Sequence, residues 1–455
     1  MLDKGKGMGS PASGSSPNTF QRFFQSEVSG SILLLVCSVV ALIWANSPWA
    51  ESYHHVLHEH IGLNWGPEGA TSFDEVHNFS MSLHHWVNDG MMAIFFFVVG
   101  LEIKRELLVG ELSSLKKSAL PVGAALGGML VPALLYTFLN FGGPGMRGWG
   151  IPMATDIAFA LGALSLFGSR VPISLKVFLT ALAIVDDLGA VVVIAIFYTD
   201  TISIMALAVA AAFLSGIFVA NRMNVRHTGI YLLLAAAVWV AVLASGVHTT
   251  IAGTLIALLV PVRAKIDPRE YLKLCRGRLN ELEAAEFTRD SMIGDQKQLE
   301  DLSDIYVASE DMIPAGVNLE HRLHPITTFI ILPLFALLNA GVPIDFESLS
   351  EAPITVGLGV MLGLIVGKQI GVMLFSWLAI RSGLAAMPAG VTWGQLWGVS
   401  CLAGVGFTMS LFVSGLAFTD QAFDSQSKLG VLAASAISGV LGYIVLQKKL
   451  SPAVD

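Results

Sequence analysis

ISLKVFLTALAIVDDLGAVVVIAIFYT, residues 173–199, decides the fold. A membrane-spanning helix needs about 20 mostly apolar residues, and this run exceeds that length. Its charges are Lys176 near one end and the adjacent Asp186 and Asp187 in the middle. The rest of the chain has the same character. Of 455 residues, 54% are hydrophobic, 13% are charged and 45 are glycine. Soluble domains average roughly 25% charged residues and about 7% glycine, so ordinary soluble, disordered, collagen-like and coiled-coil chains are excluded. A polytopic helical membrane protein remains. The net charge of −8 speaks against a nucleic-acid partner, which calls for a basic stripe. Cys37, Cys275 and Cys401 have neither disulfide nor metal spacing.

Working outward from 173–199 gives twelve candidate spans, at 28–47, 83–103, 118–140, 151–168, 173–199, 202–220, 228–245, 247–262, 324–341, 353–380, 394–418 and 428–447. The first is not read as a signal peptide. Its uncharged run from Val28 to Ala50 exceeds the about 7–15-residue apolar core of such peptides. Residues 1–20, rich in Gly, Ser and Pro, read as a disordered tail. Loop 48–82 carries Glu51, Glu59, Glu68, Asp74 and Glu75 but no Lys or Arg, while the next loop holds Lys104, Arg105, Lys116 and Lys117. Basic and non-basic loops go on alternating, which places both termini in the cytoplasm. Residues 21–447 then form one twelve-helix domain, with 448–455 as a second cytoplasmic tail. External loop 48–82 holds His54, His55, His58, His60 and His77, with His84 and His85 at the span boundary. A His-rich tract can bind a metal, but the plain reading is a solvated loop. The cytoplasmic loop 263–322 has Leu272, Leu279 and Leu282 at helical spacing among charges, so one or two amphipathic surface helices are expected there.

The ionisable residues inside apolar runs are Asp89, Asp156, Asp186, Asp187 and Lys368. A charge at the bilayer centre costs at least about 2.5–3.5 kcal/mol, so the five together cost on the order of 12–17 kcal/mol. An ion or proton pathway is the first reading, ahead of simple helix pairing. Asp89 lies nearer the external end of its span, where a structural role is equally good. Asp186 and Asp187 point about 100° apart on a helix, so one can face a cavity and the other a neighbouring helix. Out of water they repel each other. Lys368, the one internal cation, is the obvious partner for one of them, and such a group can exchange protons. In IPMATDIAFALG (151–162), Pro152, Thr155 and Asp156 interrupt an apolar run, and CLAGVGFTMS (401–410) has Gly404, Gly406 and Thr408. Close helix packing explains those glycines equally well. Interruptions at matching places in two halves point to a transporter site, a rule for which the family named below is itself an example. Residues 118–199 and 353–447 each hold a long span, an interrupted span and a further span, starting on opposite sides. Two inverted three-helix repeats follow. Carboxylates and Thr hydroxyls suit hard cations, and so few carboxylates favour Na+ or Li+ over Ca2+. A carboxylate that takes either a proton or Na+ gives exchange by competition.

Five stretches carry a resemblance: FFFVVGLEIKREL (95–107), ATDIAFALGALSLFGSRVP (154–172), LTALAIVDDLGAVVVIAIFYT (179–199), SGVHTTIAG (245–253) and GVGFTMSLF (404–412). Together they resemble the NhaA-type sodium/proton antiporters, over nearly the whole chain from about residue 20 to 447. The resemblance implies an all-α polytopic membrane protein of twelve transmembrane helices, two of them discontinuous and crossing at mid-membrane. It implies electrogenic, pH-regulated exchange of cytoplasmic Na+ or Li+ for external H+ in the bacterial inner membrane. No enzymatic reaction and no cofactor are implied. The partners are the lipid bilayer, Na+, Li+ and H+, with a homodimer whose contacts transfer only weakly because loop 48–82 departs from the compact pattern.

Residue by residue, Asp187 matches the principal cation-binding carboxylate and Asp186 the proton carrier paired with Lys368. Asp156, beside Thr155, matches the acid that offsets the helix-end charges at the crossing. Thr155 could lend an oxygen to the ion. Glu102, Arg105, Glu106, Glu320, His321 and His324 match a cytoplasmic cluster held to sense pH, which suits histidine chemistry. For those histidines the plainer reading is solvated loop. Asp89 and His248 are secondary candidates. Residues 264–318 look inserted, which leaves the ion site untouched and bears on the sensor's geometry.

Rival classes fit less well. An intramembrane aspartyl protease draws its two acids from separate helices. A passive channel would show a filter-like repeat, and a buried Lys would repel cations in an open pore. A non-transporting sensor leaves the acids in the apolar core without a purpose. A proton-coupled transporter of another small ion is the nearest alternative, disfavoured by three acids against one base.

Overall fold

The computed structural model describes residues 19–65, 77–199, 202–223, 225, 227–285, 296–344 and 352–450. Among them, nine helices are long and apolar enough to cross a membrane, or ten if the pair Trp393–Ala403 and Phe407–Ala417, bent by 42°, is one span. The protein is an all-α, multi-pass membrane protein. Within a bilayer the backbone must satisfy its own hydrogen bonds, and the helix does so without a partner strand. Among the described residues the strands form one antiparallel hairpin, His60–Trp65 with His77–Ser82, in register from His60↔Ser82 to Trp65↔His77. It lies in segment 48–82, where the sequence reading expects only a loop.

The helices sort by what surrounds them. Ile173–Phe197 has 61% of its most apolar window buried, the largest share of any span, whereas Ile204–Arg222 has 11%. The span that carries Asp186 and Asp187 is thus central, and the uninterrupted apolar one is peripheral. Local chemistry ends several helices. Thr392 and Gln395 cap Trp393–Ala403 reciprocally. Asp420 accepts from Ala422 N and Phe423 N at the start of Gln421–Lys449. Gly246, at φ 79°, closes Thr228–Ser245 in the left-handed region.

Two expected spans differ from their sequence reading. Residues 151–168 are not one α-helix. A 3₁₀ segment, Pro144–Met153, runs into extended residues 154–156, and only then does the α-helix Ile157–Ser165 begin. The eighth span shortens to Thr249–Leu259. Downstream, Pro268–Ala284 and Gln296–Met312 form a helical hairpin, so the 264–318 segment contains two helices. Its last residues belong elsewhere, because a helical run from Ala315 continues to Asn339 as a span. Residues 1–18, 66–76, 200–201, 224, 226, 286–295, 345–351 and 451–455 lie outside the described ones. The disordered-tail reading falls largely there.

The helix Leu115–Leu139 packs tightly on the run Thr355–Arg381. Gly127 and Gly371 face each other there, each touching the other's backbone carbonyl. A methyl group built at Gly367 would lie 2.9 Å from Pro132 Cα. Small residues let two backbones approach this closely. A π-turn at Gly363–Gly367 immediately precedes Lys368 and sets where that side chain leaves its helix.

Candidate ion-binding site

The two interrupted segments meet each other. Asp156 N donates to Val405 O at 2.7 Å, and Thr155 Oγ1 reaches Ala403 O at 2.9 Å. Thr408 donates to Asp156 Oδ2 twice, from its backbone N at 3.0 Å and from its hydroxyl at 2.5 Å. The other oxygen, Asp156 Oδ1, accepts from Phe159 N at 3.0 Å as the N-cap of Ile157–Ser165. One carboxylate therefore serves the amino ends of two helices, Ile157–Ser165 and Phe407–Ala417. Those ends carry partial positive charge, and an acid placed there offsets it. Gly404 and Gly406 prove to do both jobs left open above. The helix breaks beside them, and a methyl on Gly406 would come within 3.1 Å of Ala154 O.

Lys368 occupies the opposite pole. Its Nζ donates to Asp186 Oδ2 and to Met153 O, each at 2.5 Å. Met153 ends the 3₁₀ segment, so a cation rests on the carbonyl end of one helix while an anion holds the amino ends of two others. Thr155 Oγ1 reaches the same Asp186 Oδ2 at 2.7 Å. Lys368 is 0% exposed, and Thr155, Asp156, Asp186 and Asp187 are all buried. Gly128 lies against the Lys368 stem, 3.4 Å from its Cε to where a Cβ would stand.

Asp187 stands apart from this network. Neither of its carboxylate oxygens has a hydrogen-bond partner, nor does Asp186 Oδ1. All three atoms are buried, and unsatisfied buried acceptors are rare because each forgoes its interactions with water. Its electrostatic neighbours are Asp186, Asp156 and Glu102, opposed by Lys368. A cluster of acids with three uncommitted oxygens beside one cation has the chemistry to accept a small hard cation or protons.

The candidates for a pH-sensing cluster come together only in part. Arg105 Nη1 pairs with Glu320 Oε1 at 2.5 Å, and its Nη2 lies 3.9 Å from Glu102 Oε1. Glu106 instead turns to its own chain, where Oε2 accepts from Glu111 N at 2.9 Å. His321 is exposed, and His324 is half-buried with Arg105 and His321 as its charged neighbours. Glu102 belongs both to this cluster and to the surroundings of Asp187. Asp89 sits in a π-turn, Trp86–Met91, and Thr249 Oγ1 reaches its backbone carbonyl at 2.6 Å and its Oδ1 at 3.3 Å. His248 Nε2 lies 2.8 Å from Tyr198 O.

The sequence of the family described as Na+/H+ antiporter 1 matches residues 21–446. The Na+/H+ antiporter NhaA of Oleidesulfovibrio alaskensis is 45% identical over 428 residues, covering 94% of this chain and 93% of that protein. The NhaA of Acidithiobacillus ferrooxidans is 46% identical over 432 residues, covering 94% and 96%. That of Sulfurimonas denitrificans is 44% identical over 430 residues, covering 94% and 95%. The chain belongs to the NhaA-type Na+/H+ antiporter family. Members of that family are transporters rather than enzymes.

Some of the site lay beyond sequence reasoning. The carbonyls of Met153, Ala403 and Val405 leave no trace in side-chain identity. A second polar cluster was also passed over in this NhaA-type chain. Asp424 Oδ2 pairs with Lys428 Nζ at 2.7 Å, and Ser414 Oγ donates to Asp424 Oδ1 at 2.6 Å. Close by, Asn339 Nδ2 donates to Asn88 Oδ1 at 2.9 Å, and His84 Nε2 lies 3.2 Å from Asn339 Oδ1. Asp424, Lys428, Asn339 and His84 border one cavity of about 150 Å³, together with His54 and His58. The i,i+4 spacing of Asp424 and Lys428 was the available signal.

Proposed function

We propose that the protein exchanges cytoplasmic Na+ or Li+ for external H+, with more than one proton moved per cation. The buried, uncommitted carboxylate of Asp187 is the observation that carries this reading. Two unlike cargoes compete for it, so loading a cation expels a proton and the reverse. Asp186 is the second proton carrier. While Lys368 and Thr155 hold its Oδ2, it leaves Asp187 to the cargo, and when the cation arrives it is free to turn from Lys368 and lend an oxygen. Asp156 stays fixed, since both its oxygens are committed to helix ends. Net charge moves in each cycle, so the exchange responds to membrane voltage. The Glu102–Arg105–Glu320 group adjusts activity to cytoplasmic pH through Glu102, which faces both it and the cation seat.

The same reading completes the topology. The bent pair, the interrupted Pro144–Ser165 segment and the short Thr249–Leu259 helix each add a crossing to the nine continuous spans, giving twelve. An even count places both termini on one side, the cytoplasmic side by charge, in the bacterial inner membrane. Residues 118–199 and 353–447 are the inverted repeats, each contributing one interrupted segment to the crossing.

The test uses acid-loaded inside-out vesicles with an internal pH dye. Addition of Na+ or Li+, but not K+, is expected to raise internal pH. Asp187→Asn is expected to insert normally and show no response. Parent-like exchange in that variant would refute the assignment.

A further inference from the structure

The hairpin of Pro268–Ala284 and Gln296–Met312 packs chiefly on itself. Arg278 bridges its two helices, 3.0 Å from Asp301 and 2.6 Å from Asp304, and Tyr271 Oη meets Ser309 Oγ at 3.0 Å. Leu282 and Ala308 are buried at the same seam. The opposite face of the first helix has no such cover. At 100° per residue, Arg269, Leu272, Lys273, Arg276, Leu279 and Asn280 share that face, and all six are exposed. Leu272 and Leu279 are 61% and 52% exposed. Glu283 alone among acids lies on it, at its far end. The second helix has the opposite character, with Glu300, Asp301, Asp304, Glu310 and Asp311 along it.

The hairpin cannot stray far from the bilayer. Lys265 N donates to Asp311 O at 2.9 Å, and Lys265 Nζ pairs with Asp311 Oδ2 at 2.8 Å. Just below, Gly316 N donates to Pro261 O at 2.9 Å. These bonds staple the two legs together where they leave the Thr249–Leu259 helix and enter the Ala315–Asn339 span.

We propose that the Arg269–Leu279 face docks on the anionic headgroups of the adjacent leaflet. Three basic side chains there meet lipid phosphates, and Leu272 and Leu279, side by side along one edge of the face, enter the headgroup region beside them, as in interfacial amphipathic helices. Each basic residue near an anionic surface strengthens attachment about fivefold, so three give about a hundredfold. The acidic second helix is repelled by the same lipids, which fixes which side of the hairpin lies down. Only the leaflet's identity, cytoplasmic, rests on the proposed topology; the docking does not depend on antiport.

The full chain, with Cys37, Cys275 and Cys401 replaced by Ser, carries a fluorophore at Leu272→Cys and is reconstituted with nitroxide-labelled lipid. Strong quenching is expected in phosphatidylglycerol-rich vesicles and several-fold less in phosphatidylcholine. It should fall in high salt and in the triple variant R269Q/K273Q/R276Q. Hydrogen exchange of residues 268–284 in the unlabelled parent follows the same comparison, with slower exchange expected in phosphatidylglycerol. Equal quenching and equal exchange in both lipids, or a triple variant that behaves like the parent, overturns the proposal. Slower exchange in phosphatidylcholine on adding inorganic phosphate alone would show a free-anion site and also overturn it. A membrane-impermeant quencher reports the leaflet separately, so an error in the topology is distinguishable from an error in the docking.

Discussion

Lys368 is the residue most out of place in an oily setting, and its neighbours show why it persists. Its ammonium meets Asp186 Oδ2 and Met153 O, with Thr155 completing the group. Breaking a buried pair by removing one partner typically costs about 3–5 kcal/mol, whereas replacing both with apolar or neutral groups is often close to neutral. Lys368→Ala is therefore expected to lower thermal stability in detergent by roughly that amount. The double variant Asp186→Asn/Lys368→Met is expected to regain most of it while exchange stays impaired. A double variant no more stable than Lys368→Ala, in the same melting experiment, would mean the pair is not what the protein loses. At this scale the sequence was informative, because an acid or a base inside an apolar run has few reasons to be there. The residues alone could not say which aspartate Lys368 meets; the family resemblance pointed to Asp186, and the ammonium meets Asp186 Oδ2. Adjacent residues on a helix differ only in direction, and direction depends on the neighbouring helix.

Between elements, glycines decide how near two helices come. Gly371 faces the Gly127 backbone, so Gly371→Ala forces the Leu115–Leu139 helix away from its partner. Overpacking of this kind costs about 1–3 kcal/mol. Gly277, in the helical hairpin, has open space around it. Gly277→Ala should be neutral or stabilise its helix by about 0.5–1 kcal/mol. Melting curves for the two variants, read side by side, check both the packing and the exposed face of the hairpin; equal shifts would contradict the contrast. The interrupted segments were legible as weak points, since Pro152 and the 404/406 glycines advertise them. Their form was not, because apolar residues read alike in α-helix, 3₁₀-helix and extended chain. The missed β-hairpin did carry a signal. HIGLNW (60–65), with Gly62 in a polar place, and NFSMS (78–82) alternate polar and apolar residues, the period of a strand.

For the whole molecule, the helical hairpin is an appendage whose stem joins two spans. Removing 268–312 and bridging the stem with a short Gly-Ser link leaves Pro261 and Gly316 in place. Both belong to the membrane body, because Gly316 is buried and bonded to Pro261 O. The shortened protein is expected to insert and exchange ions with a displaced pH profile, since the Glu320-bearing helix begins just past the stem. Loss of all exchange in a correctly folded deletion would show that the appendage is indispensable. The multi-pass class followed from composition and the alternation of basic loops, which reflect the bilayer directly. The ends of the inserted segment did not, because charge marks where a chain meets water and not where a helix begins.

The two interrupted segments hold each other by five hydrogen bonds, among Ile151, Thr155, Asp156, Ala403, Val405, Thr408 and Ser410. Neither can shift alone without breaking them, so the two are expected to travel together. In the proposed exchange, exposure to one compartment would then close the other by the same displacement. A passage open at both ends, through which ions would leak down their gradients, requires the crossing itself to come apart.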